Sequence, residues 1–246
     1  MSAERLAGVT VLDVRVRGRA VPGYVFDPHR LALPSWAHAL GERPAALLIT
    51  LDRHADLVAP VDPVPARAAG LRALDEHARW TLDVRNVSHV LAAMEAGLVG
   101  DALCLARTRL PGAVTAPAWT DRHGVAHRLE LHPTPLAAVE ALQLGRGAEP
   151  AWLLRDTPVL LDVDLDAFTS PSDADPTEIL PWPRDAIRRF LLPDGDGSLW
   201  DLVLPRLAGL TFAREPLHVG GIAAAGRLWE DAAHVLFREV LGTDPP

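Results

Sequence analysis

The chain has 246 residues, of which 49% are hydrophobic and 23% charged, enough apolar material for a sizeable core and too much for a disordered protein. Its 24 basic residues lie scattered against 32 acidic ones, for a net charge of −8, so nucleic acid and anionic membrane are poor partners. All 24 are Arg and Cys104 is the only cysteine, which excludes a Schiff-base or P-loop lysine, a disulfide framework and a thiolate zinc cluster.

From the N-terminus, Glu4 and Arg5 open the chain without an apolar leader segment, and no later stretch approaches the ~18 apolar residues of a membrane span. A cytoplasmic protein of one domain, residues 1–246, is expected. Apolar runs predict strands over Val9–Val16, Ala45–Leu51, Ala102–Leu105, Val125–Leu131, Pro158–Val163 and Leu210–Ala213. Three- and four-residue apolar spacing predicts helices over Ala66–Trp80, Ser88–Gly97, Pro135–Leu144, Thr177–Leu192, Ser198–Leu207 and Ile222–Val240. Such alternation predicts a mainly parallel sheet covered on both faces. The proline-rich segments Ala59–Pro65, Pro111–Trp119 and Thr169–Pro183 read as loops.

Two of these strands, ALLITLD and PVLLDVDLD, are apolar until their final residues and then turn acidic. That is the pattern of a central strand buried on both faces whose carboxyl end opens into a ligand crevice. The first continues as Asp52-Arg53-His54-Ala55-Asp56, and the second ends Asp162-Val163-Asp164-Leu165-Asp166. In extended chain, residues at period two point to one side, so two neighbouring strand ends bring five carboxylates and an imidazole of His54 into one crevice. Crowded carboxylates raise one another's pKa and need cations. Mixed oxygen and nitrogen donors suit Mn²⁺ better than Zn²⁺, and the ligand count fits a pair of ions better than one.

The pairing of Asp-x-His-x-Asp with a later Asp-x-Asp resembles the arginase and deacetylase superfamily. The segment Asp27-Pro28-His29-Arg30-Leu31-Ala32-Leu33-Pro34 stands where that superfamily carries its first metal-binding His. Ser88-His89-Val90-Leu91-Ala92-Ala93-Met94-Glu95-Ala96-Gly97-Leu98 and Leu161-Asp162-Val163-Asp164-Leu165-Asp166-Ala167-Phe168 resemble a narrower branch, the peptide arginases and their relatives. The resemblance implies a three-layer α/β/α sandwich with a mainly parallel central sheet. It implies two Mn²⁺ per chain, one held by His29, Asp52, Asp56 and Asp162, the other by Asp52, His54, Asp162 and Asp164. Asp56 would also steer the attacking water, and Asp166 would lie just outside the ligands or near the substrate.

Guanidinium is resonance-stabilised and always protonated, which makes it a poor target for ordinary water and a good one for water activated by two metal ions. A carboxylate must hold the cation. Glu215, after the strand Leu210–Ala213, stands where arginases place one, the alternative being a surface Glu paired with Arg214. His89 and His218 are the candidates for protonating the leaving amine. Together these imply hydrolysis of arginine residues in a peptide to ornithine and urea. The runner-up is a zinc amide deacetylase on the same fold, although the only Tyr, Tyr24, lies near the N-terminus rather than late in the chain. A non-catalytic metal-binding relative is the third reading.

Overall fold

A computed structural model describes residues 6–193 and 197–245, so the N-terminal Glu4 and Arg5 lie outside the described residues. Among the described residues, ten strands and seven α-helices follow one another. A hairpin of β1 (Thr10–Val16) and β2 (Arg19–Phe26) leads to α1 (Ala32–Leu40) and β3 (Ala46–Ala55). Next come α2 (Leu71–Trp80), α3 (His89–Glu95), β4 (Val99–Arg109), β5 (Ala118–Thr120), β6 (Ala126–His132) and α4 (Pro135–Ala141). The last third holds β7 (Val159–Asp164), the short pair β8 (Thr169–Pro171) and β9 (Ile179–Pro181), α5 (Arg184–Leu191), α6 (Ser198–Val203), β10 (Leu207–Ala213) and α7 (Ile222–Val235).

Eight strands form one sheet in the order β1-β2-β10-β7-β3-β4-β6-β5. The six from β2 to β6 run parallel, and β1 and β5 close the two edges antiparallel. Alternate residues of the central strands feed two separate cores. Leu47, Ile49, Leu51, Leu161, Val163 and Phe212 pack under α4 to α7, while Leu48, Leu160, Ala208 and Cys104 pack under α1 to α3. The result is the three-layer α/β/α sandwich implied by the resemblance. Gly209 of β10 lets α1 settle on the sheet, because a Cβ there would stand 2.6 Å from the Cβ of Ala39.

From β3 the chain builds outward to β4 and β6, then returns to the other side of β3 for β7 and β10. The carboxyl ends of β3 and β7 therefore flank the point where the strand order reverses, which is where open α/β sheets hold ligands.

Every sequence-predicted strand is present, and four more appear. In β2, Pro22 pairs with Asp13 of β1, and pairing with β10 starts one residue later at Gly23, so the missing N–H breaks no ladder bond to β10. Helix α1 tolerates Pro34 because it lies in the first turn, where backbone N–H groups have no intrahelical partner. The helix expected over Thr177–Leu192 shrinks to α5. Pro181 and Pro183 precede it, and residues 179–181 pair with β8 instead. Gly70, at φ 92°, divides the expected Ala66–Trp80 helix into a 3₁₀ turn and α2. Among the described residues no helix is long and apolar enough to cross a membrane.

Candidate metal centre

Strand β3 carries Asp52 and His54 and ends just before Asp56. Strand β7 carries Asp162 and Asp164, and a 3₁₀ turn capped by the Asp164 carboxylate presents Asp166. His29 enters from the opposite side on the 3₁₀ turn between β2 and α1. Asp52, Asp162, Asp164 and Asp166 are all buried, and so is the His29 ring, so nothing short of compensation by cations or hydrogen bonds keeps these charges tolerable.

His29 organises one half of the cluster. Its Nε2 lies 2.8 Å from Asp162 Oδ2. Its Nδ1 faces the other way, 3.1 Å from Asp164 Oδ2, 3.6 Å from Asp56 Oδ2 and 3.8 Å from Asp52 Oδ2, and makes no hydrogen bond. In the other half, His54 Nδ1 lies 3.1 Å from Asp166 Oδ2 and 3.9 Å from Asp52 Oδ1. Ligand atoms of His29, Asp52 and Asp56 fall within 4.8 Å of one another, as do those of Asp52, His54 and Asp166. Asp52 belongs to both groups. An unpartnered buried imidazole nitrogen ringed by carboxylate oxygens, beside a second His and carboxylate set, is a donor arrangement that fits two divalent ions.

The electrostatics agree with that fit. Burial, reinforced by neighbouring carboxylates, raises the Asp52 and Asp164 carboxyls well above the ordinary range. Burial takes Asp56 up to about 6 even though His29 opposes the rise. Asp162 goes the other way. Burial alone would raise it, yet His29 and the Thr211 hydroxyl hold it below the ordinary carboxylate range.

Asp162, a bridge in the ligand set implied by the resemblance, has a ligand atom within 4.8 Å of those of His29 and His89. Its Oδ2 accepts from His29 Nε2 and, at 2.9 Å, from Thr50 Oγ1, and its Oδ1 accepts from Thr211 Oγ1 at 2.6 Å. It lies on the far side of the His29 ring from Asp52 and Asp56. Asp166, expected just outside the ligands or near the substrate, faces His54 and Asp52, accepts the Arg53 backbone N–H at 2.9 Å and also lines the cavity over the centre.

Glu215 is buried in the turn after β10 and is not paired with Arg214, which binds Asp27 at 2.7 Å. Glu215 Oε1 accepts the His29 backbone N–H at 3.0 Å and the Asn86 amide, and its Oε2 lies 3.5 Å from His218 Nε2. Its φ of 38° is in the left-handed region, a strained setting for a non-glycine residue that the surrounding bonds maintain. His218 is half exposed and borders the cavity.

His89, the other expected proton donor, has no access to that cavity. It is fully buried, its ring 3.9 Å from that of His29, its Nδ1 2.8 Å from the Asn86 carbonyl oxygen. Burial, with His29 beside it, pushes its pKa down to about 3, so it stays neutral and packs. Tyr24, which a deacetylase reading would need beside the centre, is buried with its hydroxyl 2.7 Å from His38 Nδ1. Cys104 is buried in β4 and its thiol is pushed up to about 12, in keeping with an inert side chain.

Asn86 was not singled out from the sequence. At φ 62° it donates to Glu215 Oε1, accepts from Arg30 Nη1 at 2.9 Å, and offers its carbonyl to His89. It is the only Asn in the chain, and a left-handed backbone position favours that residue type.

A cavity of about 330 Å³ opens over the centre, lined by Asp56, Asp164, Asp166, Glu215, His218 and Arg53. A second, of about 380 Å³, adjoins it through Glu215 and His218.

No family model matches the chain, and neither does any curated protein sequence. Solved structures do. The chain is similar to the agmatine ureohydrolase of Thermoplasma volcanium at 13% identity and a TM-score of 0.44, covering 87% of this chain and 61% of that one. It is similar to the proclavaminate amidino hydrolase from Streptomyces clavuligerus at 17% identity and a TM-score of 0.41, covering 85% and 60%. Arginase from Bacillus caldovelox matches at 16% identity and a TM-score of 0.39, covering 88% and 69%. The chain spans about 60% of the length of the first two.

Proposed function

We propose that the chain is a binuclear metal hydrolase of the arginase superfamily. In this reading it converts arginine residues of a peptide to ornithine with release of urea. The observation that carries it is the unpartnered, buried Nδ1 of His29 facing Asp52, Asp56 and Asp164, next to a second group of His54, Asp52 and Asp166. The ligand sets consistent with these contacts are His29, Asp52, Asp56 and Asp164 for one ion, and Asp52, His54 and Asp166 for the other. Oxygen-rich sets with one imidazole each suit Mn²⁺. Bound there, two such ions neutralise the carboxylates and make water nucleophilic at neutral pH.

The remaining work belongs to side chains. Glu215 Oε1 is held by two donors, and Oε2 remains to meet a guanidinium in the cavity. Water adds to the guanidinium carbon, the bond from that carbon to Nε breaks, and the ornithine nitrogen leaves with a proton. His218, 3.5 Å from Glu215 Oε2 and open to the cavity, is suited to deliver that proton at Nε2.

Support for a peptide comes from the rim. The second cavity continues from Glu215 and His218 past Val84, Leu217 and Ile222, which are 78%, 94% and 84% exposed. Free arginine would leave those apolar side chains in water, whereas a flanking peptide residue would cover them. The test is incubation of Mn-loaded protein with arginine-containing peptides, read by mass spectrometry for ornithine and by a urea assay. Urea and ornithine from a peptide are expected. Turnover of free L-arginine alone would overturn the peptide reading, and no urea from any guanidino compound would overturn the hydrolase.

A further inference from the structure

We propose that Asp162 is a positioning residue: it fixes the ring angle of His29 so that Nδ1 faces Asp52, Asp56 and Asp164. The proposal rests on the two-metal reading and sharpens it, because it takes one acidic residue of the Asp162-x-Asp164-x-Asp166 run out of the ligand set.

The geometry begins with strand register. Asp162 is paired with Thr50 of β3 on one side and Thr211 of β10 on the other. Both threonines donate hydroxyls to its carboxylate, and Thr211 in turn receives the Trp36 indole N–H at 2.9 Å. With no solvent exposure and donors from both neighbouring strands, the carboxylate has one orientation. It spends its remaining accepting capacity on His29 Nε2.

Asp164 is the next residue of β7 on the same face, one pleat of about 7 Å nearer the strand end. The His29 ring spans the two, with Nε2 on Asp162 and Nδ1 toward Asp164. A carboxylate at Nε2 accepts that nitrogen's N–H, which leaves Nδ1, the nitrogen that faces the other carboxylates, as the one available to a ligand. The His89 ring, packed 3.9 Å away, closes the face of His29 and limits its rotation. A carboxylate behind a ligating imidazole is a recurrent device for orienting it and raising its basicity.

The test compares Asp162→Asn, Asp162→Leu and Asp164→Asn with the wild type. Metal content and Mn²⁺ affinity are measured by elemental analysis and calorimetry, with circular dichroism on each variant to check the fold. An amide still offers an oxygen to Nε2–H, so Asp162→Asn is expected to bind two Mn²⁺ with one site weakened about 10- to 100-fold. Asp164→Asn is expected to lose at least one ion. Asp162→Leu, which offers Nε2 no acceptor, is expected to bind at the weakened site more weakly than Asp162→Asn. Loss of metal in Asp162→Asn equal to that in Asp164→Asn would make Asp162 a ligand and overturn the proposal. Mn²⁺ affinity in Asp162→Asn equal to that of the wild type would overturn it as well, and that comparison stands even if Asp162→Leu does not fold. Failure of the wild type to bind Mn²⁺ would instead strike at the two-metal reading.

Discussion

The backbone N–H of His29 donates to Glu215 Oε1 at 3.0 Å, so the residue whose ring faces the carboxylate cluster also holds the carboxylate that faces the cavity. Metal centre and candidate guanidinium site are therefore not independent modules. A shift of the turn carrying His29 moves both.

Replacing Glu215 by Gln separates them. The amide is nearly isosteric but carries no charge, and its NH₂ cannot accept from both His29 and Asn86. Charge-assisted bonds to a cation are worth about 1.5–3 kcal/mol, so kcat/KM for guanidino substrates should fall at least tenfold, and more than a hundredfold at the upper end. Metal content should stay at the wild-type value. Steady-state kinetics with elemental analysis check both, and lost metal would show that Glu215 supports the centre rather than the substrate.

Asp52 lies 3.8 Å from His29 Nδ1 through one oxygen and 3.9 Å from His54 Nδ1 through the other. No other carboxylate is within 4 Å of both imidazoles among the described residues. Asp52→Ala is expected to abolish activity and metal pairing together, and Asp164→Ala to abolish activity. Neither should unfold the chain, because each removes a charge from a crowded site. Circular dichroism and a metal titration decide it, and retained turnover in Asp52→Ala would refute the shared-ligand assignment.

Part of this arrangement is visible in the sequence because chemistry changes abruptly along two strands. ALLITLD and PVLLDVDLD can only be central strands, and their acidic ends can only be at the sheet edge that binds ligands. The register of the second motif is not visible. In Asp162-x-Asp164-x-Asp166 all three residues repeat at period two, so two ligand pairs look alike on paper. What separates them is depth in the sheet: Thr50, Thr211 and His29 saturate Asp162, and those contacts join positions 112, 49 and 133 residues apart. His89 illustrates the same gap, since its place at a helix start does not reveal that α1 and the His29 turn cover it. Asn86 has no such mark at all, because a loop residue shows no periodicity.

Stability of the metal-free protein should depend on pH through Asp56. Its folded carboxyl is raised to about 6 from an ordinary 3.8, so the folded chain binds that proton more tightly than the unfolded one. Its contribution to stability is present below about 4 and is lost as pH rises through about 6. Chelated protein should accordingly gain stability from this group as pH falls from 7 toward 5, by an amount on the order of 1 kcal/mol. Metal-loaded protein should not. Thermal melts with and without chelator, alongside Asp56→Asn, measure it, and an unchanged pH slope in chelated Asp56→Asn would sink the assignment.

Asn86 holds Glu215 Oε1 and Arg30 from a left-handed backbone, so two variants divide its role. Asn86→Gly keeps the backbone and loses only the side-chain bonds, while Asn86→Ala adds backbone strain. A buried carboxylate oxygen that loses a donor is destabilising by about 1–3 kcal/mol. Denaturant titrations should show that loss in Asn86→Gly and a larger one in Asn86→Ala, with KM raised in both. Equal stability in the two variants would mean that the backbone conformation at 86 carries no strain.

The apolar rim offers the sharpest distinction between substrates. Val84, Leu217 and Ile222 border the cavity that adjoins Glu215 and His218, yet none of them touches the carboxylate cluster. Burying one large aliphatic side chain from water is worth about 1.5–3 kcal/mol, and a groove on the surface recovers only part of that. Changing all three to Ser should therefore lower kcat/KM several-fold to about a hundredfold for a peptide with a bulky apolar residue beside its arginine. It should leave a small guanidino compound almost untouched, because that substrate ends before the rim. Competition between the two substrates in one reaction, read by mass spectrometry, removes any difference in active fraction. A parallel loss on both would place the effect in folding rather than in peptide contact, and no loss on either would leave the rim without a role in catalysis.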